Sequence, residues 1–287
     1  MPAKKIISKQ KPNIFEYVDH ILFLNDWFDY LKSEERISMR TISEKAQLAI
    51  GYLPMCLGGK RVLSSKALLK MAPHLKLNGS EQRFLELLVI VGTSENPDTR
   101  LRAVGDMTKL QAFKKNNYKE LEVYKYLTNW YYVAIREMVA LPDFDPNPEW
   151  IQGRLNGRIS LADCEEAIRF LVSSGFVIVD TQGKYSIPKL ALDCKEGIYK
   201  LSLGEFHRQM FKFAAESIEN IPRAQRSIAG HTVAIRLEDL GKVTDILNDA
   251  IGKLHLLGQN TTNPDQVYHI ELAAFPLTQK KVKKDDV

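Results

Sequence analysis

Apolar positions recur at three- and four-residue steps through the first 140 residues, and that period predicts a helical N-terminal half. Phe15, Val18, Leu22, Trp27, Phe28 and Leu31 make one stripe over residues 13–32, with Asp19, Asp26, Asp29 and Lys32 on the wet side. Ile42 and Ala46 share a face of a helix opening after Ser38. Leu48 and Ile50 fall in a turn, and Tyr52, Leu53, Met55 and Leu57 crowd a short second helix that Gly58-Gly59 stops. Ser64 is placed to cap a helix carrying Ala67, Leu68, Met71 and Leu75 inward. Asn78 or Ser80 ahead of Glu81 opens another, with Phe84, Leu87, Leu88 and Val91 on its core face. Residues 13–92 are therefore expected to form a five-helix bundle.

The pattern changes further along. TSENPDT (93–99) is a polar break, helix is expected from about Thr99 to Lys114, and Tyr118 to Val139 reads as one long helix ended by the proline-rich LPDFDPNPE. Its aromatics Tyr124, Tyr126, Trp130, Tyr131 and Tyr132 invite a stacking surface for single-stranded nucleic acid. Leu121, Leu127, Val133 and Ile135 interleave with them at helical spacing, which favours packing instead. Next come two short helices, from Trp150 to Asn156 and from Leu161 to Ser173, then FVIVD, a turn at Gln182-Gly183 and YSI: the order of a winged helix. Phe206, Met210, Phe213, Ala214 and Ile218 mark an amphipathic helix over 203–220. SIAGHTVAIRL and QVYHIELAAF alternate like strands on either side of a helix, 238–257, whose Leu240, Val243, Ile246, Leu247, Ile251 and Leu254 are expected to point inward.

The fold class expected is mainly α with a smaller α+β part. Its segments are a basic disordered tail (1–12), a phage-repressor-type helix-turn-helix bundle (13–92), a helical connector (93–146), a winged-helix-like module (147–200), a strand-helix-strand regulatory or dimerisation region (201–279) and a second tail (280–287). A unit this small leaves sheet edges open, and pairing with another copy is one way to cover them. Val233, Ile235, Val267, Tyr268 and Ile270 are the residues expected at that dimerisation or partner-binding surface.

Charge sharpens this picture. The chain of 287 residues carries +5, but residues 1–80 hold 13 Lys and Arg against 7 Asp and Glu, so everything after them sums to −1. The positive excess lies with the helix-turn-helix, where it would attract a phosphate backbone. The winged-helix-like module differs: its second helix carries Asp163, Glu165 and Glu166 against Arg169 alone, which suits a structural or partner-binding role. With 45% hydrophobic residues, no apolar run long enough for a membrane span and no signal-peptide core, a cytoplasmic protein with no membrane partner is expected. Cys56, Cys164 and Cys194, odd in number and far apart, are expected to be reduced thiols.

Catalytic motifs are absent: no P-loop, no G-x-G-x-x-G, no H-E-x-x-H, no C-x-x-C and no G-x-S-x-G. The histidines are scattered, with His207 read as a packed residue, and Arg136-Glu137 and Arg226 as buried or interface ion pairs. No catalytic residue, metal ligand or cofactor is expected, and the chain is not expected to be an enzyme.

These segments together resemble a family of largely uncharacterised bacterial proteins, abundant in predatory bacteria, that join an N-terminal helix-turn-helix to a C-terminal domain of unknown function. The resemblance is carried by Phe15 with Trp27 to Leu31, Arg40 with Ala46, Tyr52-Leu53 ahead of Gly59-Lys60-Arg61, Leu77 with Glu81, and Trp130 with Arg136-Glu137. It continues through Trp150-Ile151, Leu171 to Tyr185, His207, Met210, Pro222 with Arg226, Val267-Tyr268 and Phe275-Pro276-Leu277-Thr278. It implies a transcriptional regulator. The sequence departs from the family at the helix meant to enter the groove, where Ala49, Ile50, Gly51 and Pro54 supply no side-chain hydrogen bonds and delay the helix start to about Gly51. The DNA-binding residues expected are Arg40, Thr41, Lys45, Tyr52, Lys60, Arg61 and Lys66, mostly through phosphate contacts, so base reading is expected to be weak or altered. The alternative is a degenerate helix-turn-helix serving as a protein-protein interaction scaffold.

Overall fold

The computed structural model describes residues 10–188 and 196–279; most of the expected N-terminal tail, the whole C-terminal tail and Cys194 lie outside them. Among the described residues thirteen α-helices, four short 3-10 helices and one two-stranded antiparallel sheet account for the regular structure, so the protein is mainly α with a small β part. The described chain divides into two compact units. One runs to Thr128 and takes in a later helix as far as Glu205; the other comprises the chain from Asn129 and again from Phe206 onward.

The first unit begins with a 3-10 turn, Ile14–Glu16, followed by α1 (His20–Glu34). The stripe expected from residue 13 is thus interrupted, because the Asp19 carboxylate accepts from the Ile21 and Leu22 amides and starts a new helix there. Phe23, Leu24, Trp27, Phe28 and Leu31 are buried, whereas Leu22, expected inward, faces solvent. Helices α2 (Met39–Lys45), α3 (Tyr52–Leu57), α4 (Ser65–Met71) and α5 (Gly79–Thr93) follow. Capping explains their starts. Ser38 and Ser64 accept from the amides three residues on, and Asn78 with Glu81 forms a full capping box. Ile42, Leu53, Cys56, Leu68, Met71, Leu75, Phe84 and Leu88 close a core around Trp27, whose indole N–H donates to the Leu75 carbonyl at 2.9 Å. Helices α6 (Pro97–Met107), α7 (Gln111–Asn116) and α8 (Tyr118–Thr128) follow, with Ala103, Met107 and Phe113 in the same core, which Ile198 of the later helix joins. Asn117, fully buried, ties α7 to the first turn by donating to the Phe15 carbonyl.

The second unit opens with α9 (Trp130–Met138), separated from α8 by Asn129. The single helix expected over Tyr118–Val139 is therefore two. Asn129 takes an extended conformation, and the Trp130 N–H is accepted by the Gln209 side chain instead of by a helical carbonyl. Tyr126 and Tyr132 are buried, and Trp130 stands edge-on to Phe213, so these aromatics pack. Helices α10 (Pro148–Arg154) and α11 (Leu161–Ser173) lead into β1 (Ile178–Val179) and β2 (Tyr185–Ser186), paired with Ile178 opposite Ser186. Gly183, at φ +79°, makes the reversal, and the Asp180 carboxylate accepts from the Gln182 and Lys184 amides. Those two backbone hydrogen bonds, the larger contributions, hold the Asp180 carboxyl below the usual carboxylate range. Arg136 pins the ribbon by donating to the carbonyls of Phe176 and Pro188 while pairing with Glu137.

Helix α12 (Glu196–Asn220) is longer than the expected 203–220. Arg226 caps its end by donating to the carbonyls of Ile218 and Ile221, so this arginine meets backbone oxygens and is no ion pair. The last helix is α13 (Leu240–Asn260). Two expectations fail around it. Leu240, Ile246 and Ile251 are exposed and Val243, Leu247 and Leu254 only half-buried, so no residue of α13 is fully buried. The segments expected as flanking strands, 227–237 and 266–275, belong to no sheet among the described residues. A strand requires a ladder partner, and this copy of the chain offers neither segment one.

Candidate nucleic-acid interface

The stretch from Ser38 to Lys66 is built by its turns. Helix α2 ends at Ala46. Gln47 then takes φ +52°, and the Leu48 amide reaches back to the Ser43 carbonyl at 2.8 Å, which closes the helix end and redirects the chain. The Tyr52 amide bonds the Ala49 carbonyl at 2.9 Å, and Gly51 precedes α3 without a side-chain cap. Pro54 stands in the first turn of α3, where its missing N–H has no intrahelical carbonyl to lose. Gly59, at φ +70°, ends α3 with the Lys60 amide on the Met55 carbonyl. Lys60, Arg61 and Val62 then loop out, Leu63 returns to the core and Ser64 starts α4.

The expected DNA contacts fall into two groups. Lys45, Lys60, Arg61 and Lys66 are exposed, and among the described residues none of them meets a carboxylate. Arg40, Thr41 and Tyr52 are engaged locally. The Arg40 guanidinium lies 2.9 Å from Glu44, one turn along α2. The Thr41 hydroxyl meets that of Ser38 at 2.9 Å. The Tyr52 hydroxyl accepts from the Ser64 amide at 3.0 Å, with the Val62 carbonyl and Ser64 hydroxyl close by, while the Arg61 guanidinium lies 4.9 Å from the Tyr52 ring centre. Tyr52 is a strut joining the start of α3 to the start of α4. Around it the surface is apolar, with Ile50, Met55 and Val62 exposed beside Pro54.

Behind the loop lies a shallow cleft of about 310 Å³ that sequence reasoning missed, lined by His20, Gly59, Lys60, Arg61 and Gly92 among others. His20 is 5% exposed and its Nδ1 is buried with no hydrogen-bond partner. Burial lowers its pKa from the ordinary value, with Asp19 opposing the shift. The pairing of this histidine with a helical glycine 72 positions away leaves no periodic trace in sequence.

In the second unit Val233, Ile235, Val267, Tyr268 and Ile270 are all exposed. The segment holding the last three is fastened to its own copy. Arg154 donates to the Asp265 carbonyl at 2.8 Å, and Glu271, on the carboxylate side of two imidazoles, lies 2.9 Å from both His207 and His269. The His207 contact lies outside hydrogen-bond geometry, which leaves its Nδ1 without a hydrogen-bond partner. Cys56 and Cys164 are buried free thiols. Burial pushes the Cys164 thiol pKa up. Among the described residues no group of three His, Cys, Asp or Glu gathers as metal ligands do, and no helix is long and apolar enough to cross a membrane.

The architecture defines a helical protein whose second half carries a short ribbon and a largely exposed C-terminal region. The chain belongs to the family described as Domain of unknown function (DUF4423), whose model matches residues 109–277, more than half of its length. No curated protein matches it, and no solved structure does.

Proposed function

We propose that the chain is a DNA-binding transcriptional regulator in which α2, the turn at Gln47 and α3 act as a helix-turn-helix that grips the phosphate backbone more than it reads bases. The observation that carries this is the set of four exposed cations without carboxylate partners, Lys45, Lys60, Arg61 and Lys66, disposed around α3. Arg40 adds to them at little cost, since an exposed pair one turn apart is worth only about 0.3–0.5 kcal/mol and exchanges readily for a phosphate. Weak base reading follows from the same geometry, because Tyr52 is the hydrogen-bonding side chain of α3 and its hydroxyl is occupied. The module of α10, α11 and the ribbon, winged-helix-like in its order of elements, has Glu165 and Glu166 exposed on α11 and is assigned a structural or partner-binding role.

Fluorescence anisotropy on genomic duplex fragments across a salt titration tests the proposal. Four phosphate contacts per copy give a log–log salt slope of roughly −3 to −4, and Lys60→Ala/Arg61→Ala makes it shallower by about 2. Absence of binding even at low salt removes the reading. The exposed apolar group Ile50, Met55 and Val62 favours the second reading, an interaction scaffold. In that case Ile50→Ser/Val62→Ser abolishes partner capture while the lysine and arginine substitutions leave it unchanged.

A further inference from the structure

We propose that two copies of this chain form a homodimer through α13 and the unpaired segments flanking it, with helix packing on helix and backbone pairing across copies. This does not depend on DNA binding and stands or falls separately from it.

The helix comes first. Leu240, Val243, Leu247, Ala250, Leu254 and Leu257 recur at alternating steps of three and four, the seam of a helix that packs along a partner helix. Ile246 and Ile251 widen that seam on either side. No residue of α13 is fully buried: Val243, Leu247, Ala250 and Leu254 are half-buried, while Leu240 and Ile251 are exposed, Ile246 is 68% exposed and Leu257 65%. Covering the exposed remainder, Leu240, Ile246, Ile251, Leu256 and Leu257, recovers on the order of several kcal/mol.

The flanks have the same defect in their backbone. Among the described residues, 227–235 and 262–278 make no backbone-to-backbone hydrogen bond. Both alternate polar and apolar side chains, and Val233 and Tyr268 stand 60% and 61% exposed. The second flank is nevertheless held in place, by Arg154 on the Asp265 carbonyl, by the Tyr268 hydroxyl on the Gln225 carbonyl and by the His207 and His269 contacts of Glu271. It is a prepositioned edge with unpaired amides, which is what strand addition uses.

Size and charge select the occupant. The exposed large apolar side chains from Ile228 to Leu277 amount to roughly 1,500 Å² per copy, so covering them between two copies buries an area within the range of obligate homodimers. Lys242 and Lys253 balance Asp245 and Asp249 along α13, so the stripe faces its own copy without net repulsion. Unpaired strands are likewise self-complementary across a two-fold axis, where each copy supplies the donors the other lacks.

The test is the mass of the full chain in solution, measured by light scattering on a sizing column. Wild type is expected at twice the chain mass and Ile246→Glu/Leu257→Glu at the single mass with unchanged helical circular dichroism, since both side chains are exposed in the single copy. Leu22→Glu, an equally exposed leucine on α1, is expected to leave the dimer intact. A monomeric wild type at micromolar concentration, or a variant that stays dimeric, overturns the proposal. Hydrogen exchange separates its two parts: amides of 231–236 and 267–272 are expected to be protected in wild type and unprotected in the charged variant. Full exchange of those amides in a dimer refutes the backbone pairing.

Discussion

Gly92 and His20 offer a sharp test of the packing behind the basic loop. A Cβ added to Gly92 would lie 2.5 Å from His20 Cε1 and closer still to Nδ1, inside the van der Waals envelope of a ring that is itself buried. Two opposed terms decide the outcome of Gly92→Ala. Alanine at position 92, in the last turn of α5, gains at most about 0.5–1 kcal/mol over glycine in helix propensity. Placing a methyl where the His20 ring lies costs about 1–3 kcal/mol, because the buried ring must leave its position beside the cleft that it and Gly92 line. The net expectation is a loss of about 1–2 kcal/mol. In a His20→Ala background the obstructing ring is gone, so the same change should stabilise by about 0.5–1 kcal/mol, a coupling of roughly 2 kcal/mol between two residues in contact. The assay is denaturant unfolding followed by Trp27 fluorescence in a chain carrying Trp130→Phe and Trp150→Phe. Trp27 is buried in the first unit, and the other two tryptophans belong to the second. A stabilising Gly92→Ala in the presence of His20, or a coupling below about 0.5 kcal/mol, would refute the reasoning.

Two further outcomes are expected. Since burial depresses the His20 pKa in the folded chain, the unfolded chain binds the extra proton first. Stability contributed by the neutral ring is therefore complete above the unfolded pKa of about 6.5 and declines as pH falls below it. The Trp27 transition of wild type should weaken as pH falls from about 7 to about 5, while His20→Leu flattens the dependence. Tyr52→Phe removes the acceptor of the Ser64 amide and should lower first-unit stability by about 0.5–1.5 kcal/mol, yet leave the ranking of duplex sequences unchanged. A change in that ranking would make Tyr52 a base-reading residue.

The N-terminal half is legible in sequence because its determinants are local. The caps at Ser38, Ser64 and Asn78 sit three residues from the amides they satisfy, and the apolar stripes of α4 and α5 face one shared core. What escaped is long-range. Nothing near Asn129 announces a break between α8 and α9; the Trp130 amide is satisfied by Gln209, 79 positions away, so the helical ladder is interrupted by a partner that periodicity cannot register. The C-terminal half illustrates a different limit. Alternation in SIAGHTVAIRL and QVYHIELAAF states that these residues suit a pleated surface, and the seam of α13 states that it suits a helix partner, but neither names the chain that supplies it.

The candidate interface divides along the same line. Charge is legible from composition, because an exposed lysine needs no partner to act at a distance, and Lys45, Lys60, Arg61 and Lys66 are exposed and meet no carboxylate among the described residues. Hydrogen-bonding groups are not, because a hydroxyl serves a base only if the fold has not already spent it. Thr41 faces Ser38, and Tyr52 bridges ten to twelve residues forward to Val62 and Ser64. The tyrosine that looks most like a reading residue is what holds the basic loop between α3 and α4 in place, so its removal should disturb the placement of Lys60 and Arg61 before it disturbs any choice of base.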